Sequence, residues 1–151
     1  MEYIIDDKDR KILEVLKEHG EYTTRQITKK TLLPVTTIHH RIKRLKQEKV
    51  IRKFTIEIDP AAIEKGLKSY ILVSASLHDL KLKKKTQHDL VKEMKGFDFV
   101  EEADIVSGGV DIVVVVRTKD VDELNKVLLG KLQLLEGIEK TQSLIVIEEG
   151  K

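Results

Sequence analysis

The stretch Thr23-Thr24-Arg25-Gln26-Ile27-Thr28-Lys29-Lys30-Thr31-Leu32-Leu33-Pro34-Val35-Thr36-Thr37-Ile38-His39-His40-Arg41-Ile42-Lys43-Arg44-Leu45-Lys46-Gln47-Glu48 holds two helical patterns with a break between them. Thr23-x-x-Gln26 has the spacing of a capping box, so a helix is expected to open there, with Ile27 inward, and to run to about Thr31. Leu32-Leu33-Pro34 interrupts it. A further helix is expected from Val35 to Glu48. At about 100° per residue, Val35, Ile38, Ile42 and Leu45 fall in one stripe, the core face. Thr36, Thr37, His40, Lys43, Arg44 and Gln47 lie opposite. His39 sits nearer the polar side, and Arg41 and Lys46 occupy the flanks.

Upstream, Asp6-Asp7 offers an N-cap to a first helix carrying Ile12, Leu13, Val15 and Leu16, with Gly20 as its C′ residue. Two helices followed at once by a third form the platform of a helix-turn-helix. Downstream, Phe54, Ile56 and Ile58 alternate as in a half-buried strand over residues 50–58, and Asp59-Pro60 ends it.

Charge is segregated along the chain. Residues 25–53 hold ten Lys/Arg and a single acidic residue, Glu48, a local excess of +9 in a chain whose formal charge is +2. Cancellation elsewhere with so strong a local excess marks one surface for a polyanion. Hydroxyls in the first turn of the third helix, followed by Lys and Arg, suit a helix lying in the DNA major groove. Its first turns then face base edges and its later residues face phosphates. Arg25, Thr36, Thr37, His39, His40, Lys43, Arg44, Gln47, Arg52 and Lys53 are the expected DNA-binding residues. Arg41 lies close to the core stripe, so either a structural ion pair to an acidic residue of the first helix or a DNA contact fits it.

The second half has a different texture. Tyr70–Leu77 is strand-like, and Thr86–Lys95 is helical with Leu90, Val91 and Met94 on one face. Residues 97–106 and 110–118 are expected as strands joined at Gly108-Gly109. Asp120-x-x-Glu123 caps a helix with Val121, Leu124, Leu128, Leu132 and Leu135 inside, stopped at Gly137, and residues 138–148 form the last strand. The order βαββαβ is the ferredoxin-like one, with helices on one face of an antiparallel sheet. Val113–Val116 are apolar at consecutive positions, so both faces of that strand want burial, and the uncovered sheet face invites a second copy. The N-terminal part, about 60 residues, is marginal alone. A partner chain paired through residues 51–58 would support it.

Other chemistry finds no footing. The chain has no Cys, which excludes disulfides, thiolate metal sites and a thiol nucleophile. No metal spacing is present among His19, His39, His40, His78 and His88, and no phosphate-binding Gly-rich loop or nucleophile elbow occurs. Neither a metal nor another cofactor is expected. No apolar run approaches the roughly 18 residues of a bilayer span, and the N-terminus lacks a signal-peptide pattern, so a cytoplasmic location is expected. Lys83-Lys84-Lys85 reads as a solvated patch, a nucleic-acid role being the alternative.

With these residues laid out, the chain resembles the Lrp/AsnC, or feast/famine, family of prokaryotic transcription regulators over nearly its whole length. The likeness runs through Ile5-Asp6-Asp7-Lys8-Asp9-Arg10-Lys11-Ile12-Leu13 and the stretch Thr36 to Leu45 followed by Val50-Ile51. It continues in Val106-Ser107-Gly108-Gly109-Val110-Asp111, similar to the family's G-x-x-D signature, and in the stretch from Gly137 to Glu149. The resemblance implies an α+β protein: an N-terminal winged helix-turn-helix over residues 1–59, a linker over 60–68, and a ferredoxin-like βαββαβ effector-binding and dimerisation (RAM) domain over 69–151. It also implies a homo-oligomer, a dimer at least and up to an octamer, and an amino acid or related small molecule as effector. On that basis Gly108 and Asp111 are expected to contact the effector or to support its pocket, with Ile105, Thr141, Ser143, Leu144 and Val146 beside them. The chain departs from the family's pattern at Pro34 (usually Ser), Leu32 and Lys49 (usually Gly), Thr28 (usually Ala) and Val110 (often aromatic).

Two other functions fit parts of the sequence. One is an architectural protein that coats and bends DNA with little sequence preference. The other is an enzyme resembling the sirohaem decarboxylases, for which His78 and His88 are the candidates in the second half. Such an enzyme has no use for the +9 segment, so a non-enzymatic regulator is the expected function.

Overall fold

The computed structural model describes residues 3–150. They divide into two compact units, one ending at Glu57 and the other beginning at Ile58.

The first unit is three helices: α1 Asp7–Glu18, α2 Thr24–Thr31 and α3 Val35–Gln47. Two of them start on full capping boxes. Asp6 accepts from the Asp9 backbone N–H while the Asp9 side chain accepts from Asp6, and Thr23 and Gln26 do the same for α2. Such reciprocal caps satisfy backbone donors that water would otherwise compete for. Pro34 begins α3 without a side-chain cap. Two left-handed residues that are not glycine flank it in the chain: Leu32 (φ 59°), the C-cap of α2, and Lys49 (φ 57°), just past the end of α3. The core is small: Ile12, Ile27, Ile38 and Leu45 are fully buried, and Val15, Leu16, Tyr22, Leu33 and Ile42 pack around the first three. Val35, expected in that core, is 43% exposed. It is the first residue of the helix, directly after Pro34.

The strand expected at 50–58 does not form. The segment has no ladder partner, because its unit contributes no second strand. Phe54, Ile56 and Ile58, whose alternation suggested half-burial, are all exposed, Ile56 at 78%. With α1 the segment borders an open cleft lined by Leu13, Leu16, Val50, Phe54 and Ile56.

The second unit is an antiparallel sheet of β1 Leu67–Ala75, β2 Val100–Ile105, β3 Ile112–Thr118 and β4 Ile138–Ile145, in the order β2-β3-β1-β4. Helices α5 Gln87–Lys95 and α6 Val121–Gly130 supply the crossovers, which gives the expected ferredoxin-like arrangement. Ile71, Val73, Ile112, Val114 and Val116 point to one face and are buried with Leu90, Met94, Leu124 and Leu128. Each such side chain contributes roughly 1.5–3 kcal/mol of burial. Strand alternation sends Tyr70, Leu72, Val113 and Val115 to the other face, where they are half-buried, with Leu144 opposite Tyr70.

Several boundaries differ from the sequence reading. β1 begins at Leu67, inside the expected linker, and ends at Ala75. An additional short helix, α4 Leu77–Leu82, follows on the N-cap Ser76, which accepts from the Asp79 N–H. β2 starts only at Val100, because Phe97 and Phe99 stack on each other ahead of it. α6 stops at Gly130, with Val121 exposed and Leu132 buried in a separate 3-10 turn; β4 ends at Ile145. Gly137 therefore does not end a helix. Its φ is +99°, and an added Cβ would lie 2.4 Å from Leu80 Cδ2, so this glycine is what lets α4 pack onto the turn before β4.

Candidate nucleic-acid interface and effector turn

The polar face of α3 presents Thr36, His39, His40, Lys43, Arg44 and Gln47 to solvent, with Thr37 half-buried beside them. Arg25 is exposed on the first turn of α2, and Arg52 and Lys53 are exposed beyond α3. Of the ten basic residues between 25 and 53, Arg41 is the one that forms an ion pair with a described residue. Its Nη1 donates to both oxygens of Asp6 at 2.6 Å and to Asp9 Oδ1 at 3.0 Å. Arg41 is thus tied into the fold, and the other nine cations have no ion-pair partner among the described residues.

Asp9 was not anticipated as part of this cluster. It is 1% exposed, and beside Arg41 it accepts at 2.6 Å from the Tyr3 hydroxyl. The Asp6-x-x-Asp9 spacing signalled a capping box, but nothing local signalled the arginine 32 residues on. The N–H of Asp9, and after it the Arg41 guanidinium, hold the Asp6 carboxyl below its ordinary pKa. The two aspartates raise that of Arg41. Burial, then the bond to Asp9, raises that of Tyr3. The Arg44 guanidinium lies 4.4 Å from the centre of the Tyr3 ring, and Lys46 Nζ lies 4.8 Å from that of Phe54.

The second candidate site is the turn between β2 and β3. Gly108 has φ +149° and open space around it. Asp111 uses both carboxylate oxygens inside the fold: Oδ2 accepts from the Ala75 N–H at 2.8 Å, and Oδ1 from Gln87 Nε2 at 3.3 Å. Its own N–H donates to Val73 O, and its carbonyl accepts from Val106. Asp111 therefore fastens the start of β3 to the end of β1 and the start of α5. Gln87 carried no sequence signal for this role.

Of the remaining expected effector residues, Ile105 pairs with Ile112 beside this turn, and the β4 residues do not lie there. Ile105 lies on the edge strand β2, whereas Thr141, Ser143 and Leu144 lie on β4, the opposite edge. Two strands intervene, a separation of roughly 14 Å. Thr141 and Ser143 oppose Val73 and Ile71 on the helix-covered face, while Leu144 opposes Tyr70 on the other. Thr141 accepts from Gln133 Nε2 at 2.7 Å, and the Val146 N–H donates to Lys68 O. Ile105 and the β4 residues thus stand on opposite edges of the sheet.

Lys83 and Lys85 pair with Glu136 and Glu93 in their own unit, at 3.2 and 2.8 Å, which matches a solvated patch rather than a nucleic-acid surface. Arg117, on the open sheet face, donates to Glu149 through two nitrogens, at 2.6 and 3.0 Å, and to Glu101. Among the described residues no group of His, Asp and Glu is placed to hold a metal, and no helix is long and apolar enough to cross a membrane.

Residues 70–151 match the family model of the Lrp/AsnC ligand binding domain, and residues 5–52 that of a winged helix-turn-helix DNA-binding domain. The chain belongs to the Lrp/AsnC family. Among its relatives, the HTH-type transcriptional regulator FL11 of Pyrococcus furiosus is 35% identical over 100% of this chain and 95% of its own. The protein of the same name from Pyrococcus abyssi is 32% identical over the same shares. Among solved structures, E. coli AsnC superposes with a TM-score of 0.83 at 27% identity, covering 97% of this chain and 95% of that one. The transcriptional regulator NMB0573 of Neisseria meningitidis, solved as a complex with L-Met, shares the fold with a TM-score of 0.89 at 23% identity, covering 98% and 93%. This Lrp/AsnC protein is accordingly a helix-turn-helix transcriptional regulator with a ligand-binding domain.

Proposed function

We propose that this regulator recognises specific double-stranded DNA sites as a homodimer or larger assembly in the cytoplasm, and that an amino acid or related small molecule bound by the second unit modulates it. The observation that carries the DNA reading is the set of nine cations on α2, α3 and the segment after it that have no ion-pair partner among the described residues, against one, Arg41, bound within the fold. Thr36, His40, Lys43 and Gln47 then face the groove, with Arg25, Arg52 and Lys53 on phosphates. Assembly is supported by the apolar open face of the sheet and by the unladdered segment at 50–58, whose backbone groups suit pairing with a second copy. For the effector, the support is the L-Met complex of the structural relative and the turn at Gly108–Asp111. Asp111 acts there by shaping the turn, since its oxygens are already engaged. Ile105 and the β4 residues stand on opposite edges, so they join one pocket only where chains meet.

The test is fluorescence anisotropy with DNA from upstream of its own gene against random DNA, over a salt series. With about four phosphates neutralised per subunit, log K is expected to fall against log salt with a slope near −7. A preference of at least about a hundredfold for the specific duplex is expected. A steep slope without preference supports the architectural function instead, and no binding at low salt rejects both.

A further inference from the structure

The geometry points to Tyr3 as a positioning residue for DNA recognition: its ring holds the Arg44 guanidinium, through a buried carboxylate that also fixes Arg41. This rests on the assignment of α3 as the reading helix.

Arg41 and Arg44 lie three residues apart on α3, yet their surroundings differ. Arg41 is neutralised by two carboxylates, Asp6 and Asp9. Arg44 has no described carboxylate within ion-pair distance, and its guanidinium stands 4.4 Å from the Tyr3 ring centre. A guanidinium so placed keeps its charge and leaves its N–H edges free. The ring itself is held, because its hydroxyl donates to Asp9 Oδ2 at 2.6 Å and Asp9 is buried between α1 and α3. The same carboxylate receives Arg41 on its other oxygen. Asp9 thus serves two aims: one oxygen locks the helix through Arg41, and the other aims the ring that supports Arg44.

A free arginine samples many rotamers, and ordering it on DNA costs binding free energy. Stacking on Tyr3 removes part of that cost beforehand and sets the direction of the donors. The acceptor is an oxygen or nitrogen of the duplex, on a phosphate or on a guanine edge.

The experiment is a double-mutant cycle on the full chain, using a duplex selected from a random pool by the wild-type protein. Wild type, Tyr3→Ala, Arg44→Ala and the double variant are compared by anisotropy, with Tyr3→Phe as the conservative variant and circular dichroism to confirm folding. Arg44→Ala is expected to weaken binding about five- to a hundredfold. Tyr3→Ala is expected to weaken it about two- to fivefold, and Tyr3→Phe, which keeps the ring, by less. In the Arg44→Ala background Tyr3→Ala should then cost nothing further. A base contact shows as lost preference over random DNA, and a phosphate contact as a salt slope shallower by about one. An equal Tyr3→Ala penalty in both backgrounds means a merely structural residue and overturns the inference. So does unchanged affinity of Tyr3→Ala where Arg44→Ala weakens binding. Should Arg44→Ala bind like wild type, the helix assignment at that residue fails first, and this inference with it.

Discussion

The two units pair their cations to different extents. Between residues 25 and 53, nine of ten basic side chains lack a described acidic partner. In the second unit five of the thirteen described Lys/Arg, namely Lys68, Lys83, Lys85, Arg117 and Lys119, lie in ion pairs with their own unit's carboxylates. The exposed pairs among these, those of Lys83 and Lys119, contribute little stability. Their effect is on the field: a paired cation presents no net charge to a distant phosphate, and an unpaired one does. Arg41 shows that the first unit can pair a cation where the fold needs one.

The widest gap between the units should appear on changing equal charge in each. Lys43→Ala with Arg44→Ala is expected to lower DNA affinity by about a hundredfold or more at low salt, with the circular dichroism unchanged. Lys83→Ala with Lys85→Ala, the same loss of two charges, should leave affinity within about twofold. Equal losses in anisotropy would erase the contrast and make net charge alone the determinant.

A second change separates the units by packing. Gly137→Ala demands a left-handed residue and drives a methyl into Leu80, so the second unit should lose about 2–4 kcal/mol. Amide-exchange protection of β1 and β4 should fall while that of α1–α3 holds. Loss of protection in both would mean that the two units unfold as one.

The smallest effect is at acid pH, where the units should behave alike. Asp6 and Glu149 both have carboxyls held below their ordinary pKa, Asp6 by the Asp9 N–H and then Arg41, Glu149 by Arg117. A depressed folded pKa stabilises fully above the unfolded value, about 4 to 4.5, and is lost as pH falls through the folded one. Urea stability should therefore be insensitive to these groups from about pH 5.5 upward and decline below about pH 4. Asp6→Asn and Glu149→Gln should each flatten that decline; unchanged curves would remove these pairs from the acid response.

Much of this was legible in residues because it is local. The N-cap at Asp6, the box at Thr23–Gln26, the break at Pro34, the strand-like run of β1 and the continuous apolar run of β3 are each written within a few positions. What escaped depends on partners far along the chain. Alternation at Phe54, Ile56 and Ile58 states a preference for a strand but not whether another strand is there to meet it. Gly137 looked like a helix stop because its packing against Leu80, 57 positions earlier, leaves no local trace. The effector residues looked like one set, and only the strand order revealed that they occupy two edges. Arg41 was half legible: its place beside the core stripe suggested a buried partner without saying which aspartates would supply it.

α3 runs from its N-cap Pro34 to its C-cap Glu48, with left-handed Lys49 just beyond, and so sets a reading window. Thirteen residues extend about 20 Å, no more than about six base pairs of duplex. A word that short recurs by chance about once in every few thousand base pairs, and a genome offers a million or more positions. One such helix would be addressed to hundreds of places at once. A regulator built on it gains a unique address only by reading the word twice, at a fixed spacing, so information content calls for the second copy before affinity does.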